Sequence, residues 1–145
     1  MRVQIPFIKS DTDCPIIQFM LGNGTVGYAL VDTGSETTMI DETFAKANKS
    51  CFKINITDDK IIMHGVNGNI EKPCIEASTK AAFKTIQGEN VEYTIGTYVC
   101  SLANISAKDK TGKKTYHVSI VIGSDFLVNN KAKINFINSQ LSLEQ

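Results

Sequence analysis

Tyr28-Ala29-Leu30-Val31-Asp32-Thr33-Gly34-Ser35 decides how this chain is read. An apolar run suited to a buried strand leads straight into a carboxylate, a hydroxyl, a glycine and a second hydroxyl. A further apolar pair, Met39-Ile40, follows. Asp32 is therefore expected at the end of a buried strand, in a tight turn, where burial and hydrogen bonds tune an acid. The plain alternative is a turn residue whose side chain caps its own loop. A bare Asp-Thr-Gly-Ser recurs by chance, so its surroundings carry the reading.

Those surroundings form an ordered set. A strand-like segment, Pro15-Ile16-Ile17-Gln18-Phe19-Met20-Leu21, precedes an Asn23-Gly24 turn and the strand that ends at Asp32. About thirty residues on comes Ile61-Ile62-Met63-His64-Gly65-Val66-Asn67-Gly68-Asn69-Ile70, an apolar arm with a Gly-rich tip. Val121-Ile122-Gly123-Ser124-Asp125-Phe126-Leu127 follows much later, and the chain closes with Lys133-Ile134-Asn135-Phe136 and Leu141-Ser142-Leu143. In this order the segments resemble the retropepsin-like (retroviral-type) aspartic protease family, from about Cys14 to Leu143. The resemblance implies an all-β fold: a closed, barrel-like acid protease half with a flap hairpin and one or two short helices. It leaves a cellular, viral or mobile-element source open.

Composition sets the outer bounds. With 145 residues the chain is read as one domain, 1–145, long enough to bury a core. Its 42% hydrophobic and 21% charged content is that of a soluble globular protein. Net charge is zero, which argues against nucleic acid as a main partner. The cluster Lys108, Lys110, Lys113 and Lys114 reads as a solvated loop tip. Cys14, Cys51, Cys74 and Cys100 show no paired spacing, and His64 and His117 do not complete a ligand set. No metal and no cofactor are expected, and the cysteines read as reduced, mostly buried thiols. Neither a signal-peptide core nor a run near the roughly 20 apolar residues of a membrane span occurs. A soluble cytoplasmic protein without a membrane partner is the default.

Short apolar runs punctuated by Gly and Asn predict strands at 3–9, 15–21, 25–32, 52–56, 60–66, 69–78, 81–87, 91–102, 115–122 and 132–137. Hairpin turns are expected at Asn23-Gly24, Asn67-Gly68 and Gly88-Glu89-Asn90. One short helix should start at Asp41 as its N-cap and run through Phe44 to Ala47; a second should begin near Ser124 and cover Asp125 to Val128. Residues 103–114 are expected to be a loop, an insertion relative to short family members.

Only one Asp-Thr-Gly occurs in the chain. Peptide hydrolysis by paired carboxylates needs two, one ionised to take a proton from water and one neutral to donate to the carbonyl oxygen. A dyad therefore requires a homodimer, with a two-fold axis between two Asp32 side chains. The resemblance implies the same homodimer. In it Thr33 would bond across the axis, Gly34 would let the backbone approach the dyad, and Ser35 would donate to the outer oxygen of the Asp32 carboxylate. The flap, Ile61 to Lys72, would close over substrate, with Gly65 and Gly68 giving freedom and Val66 and Asn67 at the tip. Leu30 and Val121 are candidate pocket residues. Val121-Ile122-Gly123 would pack beneath the active-site loop, Gly123 permitting close backbone approach.

One departure from the family stands out. Many viral members carry an Arg after that glycine, paired with an acid near the catalytic loop. Here the position is Ser124, and Glu36 is the acid's counterpart. The reading is a homodimeric aspartic endopeptidase, a hydrolase acting on an extended peptide or polyprotein segment through the Asp32 dyad. The alternative is a dimeric binding or assembly module of the same fold without significant proteolysis. The intact Asp-Thr-Gly-Ser favours the enzyme; the missing Arg favours a weak dimer that a module would tolerate.

Overall fold

Side chains alternate inward and outward along the strands. In Pro15–Leu21, Ile17, Phe19 and Leu21 enter the main core, while Gln18 and Met20 face out, as a period of two requires. The computed structural model describes residues 1–65, 68–102 and 105–145, and the side chains of these outside 56–74. Its strands are β1 (Arg2–Pro6), β2 (Ile8–Lys9), β3 (Pro15–Leu21), β4 (Val26–Val31), β5 (Met39–Asp41), β6 (Phe52–Gly65), β7 (Gly68–Lys84), β8 (Asn90–Cys100), β9 (Ser106–Lys108), β10 (Thr115–Ile122), β11 (Lys133–Asn135) and β12 (Gln140–Glu144). Two short helices, α1 (Glu42–Ala47) and α2 (Ser124–Asn129), complete it.

Six strands close a barrel in the order β3, β4, β10, β5, β8, β7 and back to β3. β4 and β10 run parallel, with Leu30 opposite Val121 and Val31 opposite Ile122. β5 joins β10 antiparallel and β8 parallel, and Met20–Ala82 and Leu21–Ala81 shut the ring. β1, β12 and β11 form a separate sheet that brings Ile5, Leu141 and Leu143 into the barrel's core. Tyr93 ties the two together, its hydroxyl donating to the Glu144 carbonyl at 3.2 Å. Burial pushes that hydroxyl above its ordinary proton affinity, against the opposing field of Arg2.

The all-β barrel with two short helices matches the reading from sequence, and both helices start where expected. Asp41 caps α1 by accepting the Phe44 N–H at 3.3 Å. The Asn23-Gly24 turn is also present, with Gly24 at φ 87° and its N–H donating to the Leu21 carbonyl. Boundaries differ elsewhere for local reasons. The expected strand 3–9 divides at Phe7, whose N–H turns to the Ser139 carbonyl. The expected pair 69–78 and 81–87 is one strand, β7, paired along Glu76–Lys84 with β8. The segments expected at 52–56 and 60–66 are likewise one strand, β6, with an irregularity between Ile56 and Lys60. β5 and β12 were not expected as strands. Each is short and gains its order from neighbours remote in sequence, β8 and β10 for one, β1 for the other. The third turn centres on Thr85–Gly88, with Gly88 at φ 85°, and β8 already starts at Asn90.

Residues 105–114 do not form a simple loop. β9 pairs with β10 through Lys108–Thr115 and His117–Ser106, making a hairpin. Its tip is joined to the N-terminal segment by the Asp109–Ser10 bridge, the Asp11 N–H to the Lys108 carbonyl, and an ion pair between Lys110 and Asp13.

Candidate active site

Asp32 directly follows β4 and is tied to β10 by its N–H, which donates to the Ile122 carbonyl at 2.9 Å. The turn after it closes on itself. The Ser35 N–H donates to the Asp32 carbonyl at 3.1 Å, and the Gly34 N–H donates to Asp32 Oδ1 at 3.0 Å. Among the described residues Oδ2 accepts no hydrogen bond. The side chain is half-buried, while Thr33 and Gly34 are exposed. Asp32 thus caps its own loop, and still presents one free carboxylate oxygen at the barrel rim.

The floor beneath this turn is the end of β10. A Cβ on Gly123 would lie 2.5 Å from the Thr37 carbonyl oxygen and 2.8 Å from that of Ser35, so the loop rests directly on glycine backbone. The Ser124 N–H donates to the Ser35 carbonyl at 2.7 Å, and the Asp125 N–H to the Glu36 carbonyl at 3.3 Å. The close approach expected of Val121-Ile122-Gly123 under the loop is present.

Other expectations meet a different geometry. In this chain the Ser35 hydroxyl donates to the Thr37 carbonyl at 2.8 Å and not to the Asp32 carboxylate. With Ser124 where an Arg brace would stand, the exposed Glu36 meets the helix through its backbone carbonyl. The loop is braced instead by two residues that sequence reasoning did not single out. Thr38, fully buried, donates its hydroxyl to Asp125 Oδ1 at 2.6 Å and its N–H to Asp125 Oδ2 at 3.0 Å. The signal for them was faint: a Thr flanked by apolar residues, and an acid in the first turn of an expected helix.

Leu30 and Val121 lie side by side in a second apolar cluster with Ile16, Val118, Leu102, Ala107 and Tyr116. The β9–β10 hairpin therefore packs against the wall that carries both candidate pocket residues. Val121 is buried and Leu30 half-buried under it. Its base is anchored by Asp41, whose Oδ1 accepts the Leu102 N–H at 2.9 Å.

For the flap, the backbone of β6 and β7 forms a hairpin with Ile61 opposite Lys72 and Gly65 opposite Gly68. Gly68 opens β7, and the expected Asn67-Gly68 turn falls in part on residues that are not described. Val66 and Asn67 lie outside the described residues. Cys14 and Cys51 are free, half-buried thiols, and Cys100 is buried. Among the described residues no cluster of His, Cys, Asp or Glu could hold a metal ion, and no helix is long and apolar enough to cross a membrane. A cavity of about 760 Å³ runs beside β3, lined by Phe7, Ile8, Gln18, Met20, Val26 and Ile86. One of about 410 Å³ sits over β6, β7 and β8 beside Asp125. Neither includes Asp32, which stands on an open edge.

No family model matches the chain, and no curated protein matches its sequence. Solved structures do match. The retroviral protease-like domain of Ddi1 from Leishmania major superposes with a TM-score of 0.53 at 13% identity, over 88% of this chain and 84% of that one. A retropepsin-like aspartic protease from Rickettsia conorii does so with a TM-score of 0.52 at 14% identity, over 99% of this chain and 91% of that one. The chain has the retropepsin-like fold. The likeness is one of architecture, spread over most of both chains.

Proposed function

We propose that this protein is a homodimeric aspartic endopeptidase whose dyad is Asp32 and its copy in a second chain. The observation that carries the reading is the half-buried Asp32 carboxylate, held at Oδ1 by its own turn and open at Oδ2, at the rim of a retropepsin-like barrel. A single chain supplies one such carboxylate and one wall of a groove. A second copy, related by a two-fold axis, supplies the other of each. The exposed Thr33 is available for the contact across the axis.

In that assembly the two carboxylates share one proton, because close like charges do not both ionise. The ionised one takes a proton from water, and the water oxygen attacks the peptide carbonyl. The protonated one donates to the carbonyl oxygen, and the resulting diol breaks down with proton transfer to the leaving nitrogen. The hairpin β6–β7 is suited to cover an extended peptide, and the half-buried Leu30 to meet an apolar side chain, with the buried Val121 supporting it from β10. Thr33, Gly34 and Ser35 shape the turn. Gly65, Val66, Asn67 and Gly68 are the proposed flap contacts.

The test is cleavage of an unstructured protein such as casein by the wild type and Asp32→Asn, with sedimentation of both. Loss of at least about a hundredfold is expected, the scale of one general acid–base group, with the dimer and fold retained. Specific activity should fall on dilution, by mass action, and the rate should peak on the acid side of neutrality. Activity retained within tenfold would remove Asp32 from catalysis. A dimer that cleaves nothing would favour the binding module.

A further inference from the structure

We infer that Asp125 is a positioning residue for Asp32, acting through Thr38. This rests on the reading of Asp32 as the catalytic carboxylate. Thr38 is fully buried and uses every polar group it has. Its N–H and hydroxyl donate to the two oxygens of Asp125, its Oγ1 accepts the Gly123 N–H at 3.0 Å, and its carbonyl accepts the Tyr98 N–H at 2.9 Å. Four segments meet there: the active-site loop, the end of β10, the start of α2 and the end of β8.

The carboxylate does something a neutral side chain does not. It only accepts, so it fixes the direction of the Thr38 hydroxyl proton and leaves the oxygen lone pair for Gly123. Oδ1 also accepts the Phe126 N–H at 2.7 Å. An amide at position 125 keeps the shape but replaces one oxygen with a donor. That NH₂ would face either the Thr38 N–H or two donors at once, the Thr38 hydroxyl and the Phe126 N–H. Gly123 in turn bears directly on the carbonyls of Ser35 and Thr37, and the Ser35 N–H closes the Asp32 turn. The path from Asp125 to the catalytic turn therefore runs entirely through hydrogen bonds and one backbone contact. It lies within a single chain, in a protein without the Arg brace.

Amide hydrogen exchange and peptide-cleavage kinetics are measured on the wild type, Asp125→Asn, Thr38→Val and Thr38→Ser. Exchange at Ser35 and Ser124 should speed up by about tenfold or more in Asp125→Asn and Thr38→Val, the scale of one charge-assisted hydrogen bond. The barrel amides of Ile17 and Ile95 should keep their rates. kcat should fall by a similar factor with KM within about twofold, and Thr38→Ser should recover most of both. Unchanged exchange at Ser35 in the folded variants overturns the inference. So does a barrel that loosens in step with the loop, or a Thr38→Ser variant as impaired as Thr38→Val. A loosened loop with wild-type kcat overturns it equally. Should Asp125→Asn fail to fold, the two Thr38 variants decide. If the wild type cleaves no peptide, the proteolytic reading fails while exchange still reports whether Asp125 holds the loop.

Discussion

Two aspartates in this molecule hold turns with the same kit of parts and opposite reach. Asp109 Oδ1 accepts the Thr111 hydroxyl at 2.9 Å and the N–H groups of Lys113 and Lys114 at 3.0 and 3.5 Å, all within five residues. Asp125 accepts a Thr hydroxyl and an N–H too, but both belong to Thr38, 87 residues away. The first turn closes as soon as its own few residues meet. The second exists only once the barrel has brought β10 against the active-site loop. A local device suits the tip of a surface hairpin. A long-range device makes the geometry at Asp32 conditional on the whole fold.

The sharpest way to break the long-range side is Gly123→Ala. The added Cβ would meet backbone atoms of Thr37 at 2.5 and 2.6 Å, which a rotamer change does not relieve. Overpacking costs on the order of 1–3 kcal/mol, and a rigid backbone neighbour places this case at about 3. A urea midpoint that falls accordingly is expected, and a midpoint within error of the wild type would show that the loop does not bear on Gly123.

Asp41 combines both kinds of bond, and so sharpens the comparison. Its Oδ2 caps α1 through Phe44, three residues on, and its Oδ1 holds Leu102, 61 residues on, at the base of the β9–β10 hairpin. Asp41→Ala removes the cap, worth about 1 kcal/mol. It also strands a buried N–H, at about 1–3 kcal/mol. The expected loss is about 2–4 kcal/mol. Asp41→Asn keeps one acceptor and should lose roughly half of that. Equal losses for Ala and Asn would mean that the two bonds do not contribute separately.

The same contrast explains what the sequence made legible. The class of fold, the turn at Asp32 and both helix starts follow from local patterns, strand into Asp-Thr-Gly-Ser and Asp41 before a helical run. The place of Gly123 under the loop follows only from the family resemblance, since its local pattern reads as a core strand ending in a helix. β5 and β12 escaped because three to five residues have no periodicity to read, and their partners lie far along the chain. The hairpin at 106–117 was hidden by its polar, lysine-rich tip, although Ala107 and Tyr116 supply the buried face. The Thr38–Asp125 pair was hidden for the most physical reason: nothing in either residue's neighbourhood names the other.

Lys110→Ala tests the surface staple between the hairpin tip and the N-terminal segment. Its ion pair with Asp13 is exposed, with side chains 54% and 70% accessible. Solvent and salt screen such pairs, which contribute about 0–1 kcal/mol. A loss of at most about 0.5 kcal/mol is expected, fading as salt is raised. A larger, salt-resistant loss would make the staple part of the fold's core stability.

The smallest effect is expected at Asp109, and it depends on pH. Some burial disfavours the charged form, but hydrogen bonds from Thr111 and from the N–H groups of Lys114, Lys113 and Gly112 outweigh it and hold the carboxyl below its ordinary value of 3.8. A depressed value means that the folded state binds this proton less readily than the unfolded chain. The turn's contribution is then fully present above the ordinary value, and is lost as pH falls through the depressed one. The midpoint of the acid-induced change in the Thr111 and Lys113 amide shifts should therefore lie below 3.8. The Ser35 amide, donating to the Asp32 carbonyl, and the Thr38 amide, donating to Asp125 Oδ2, need not move with them. Titration of the Asp109 turn at the pH of a free aspartate would show that its bonds do not persist in solution. The local half of the comparison would then rest on backbone geometry alone.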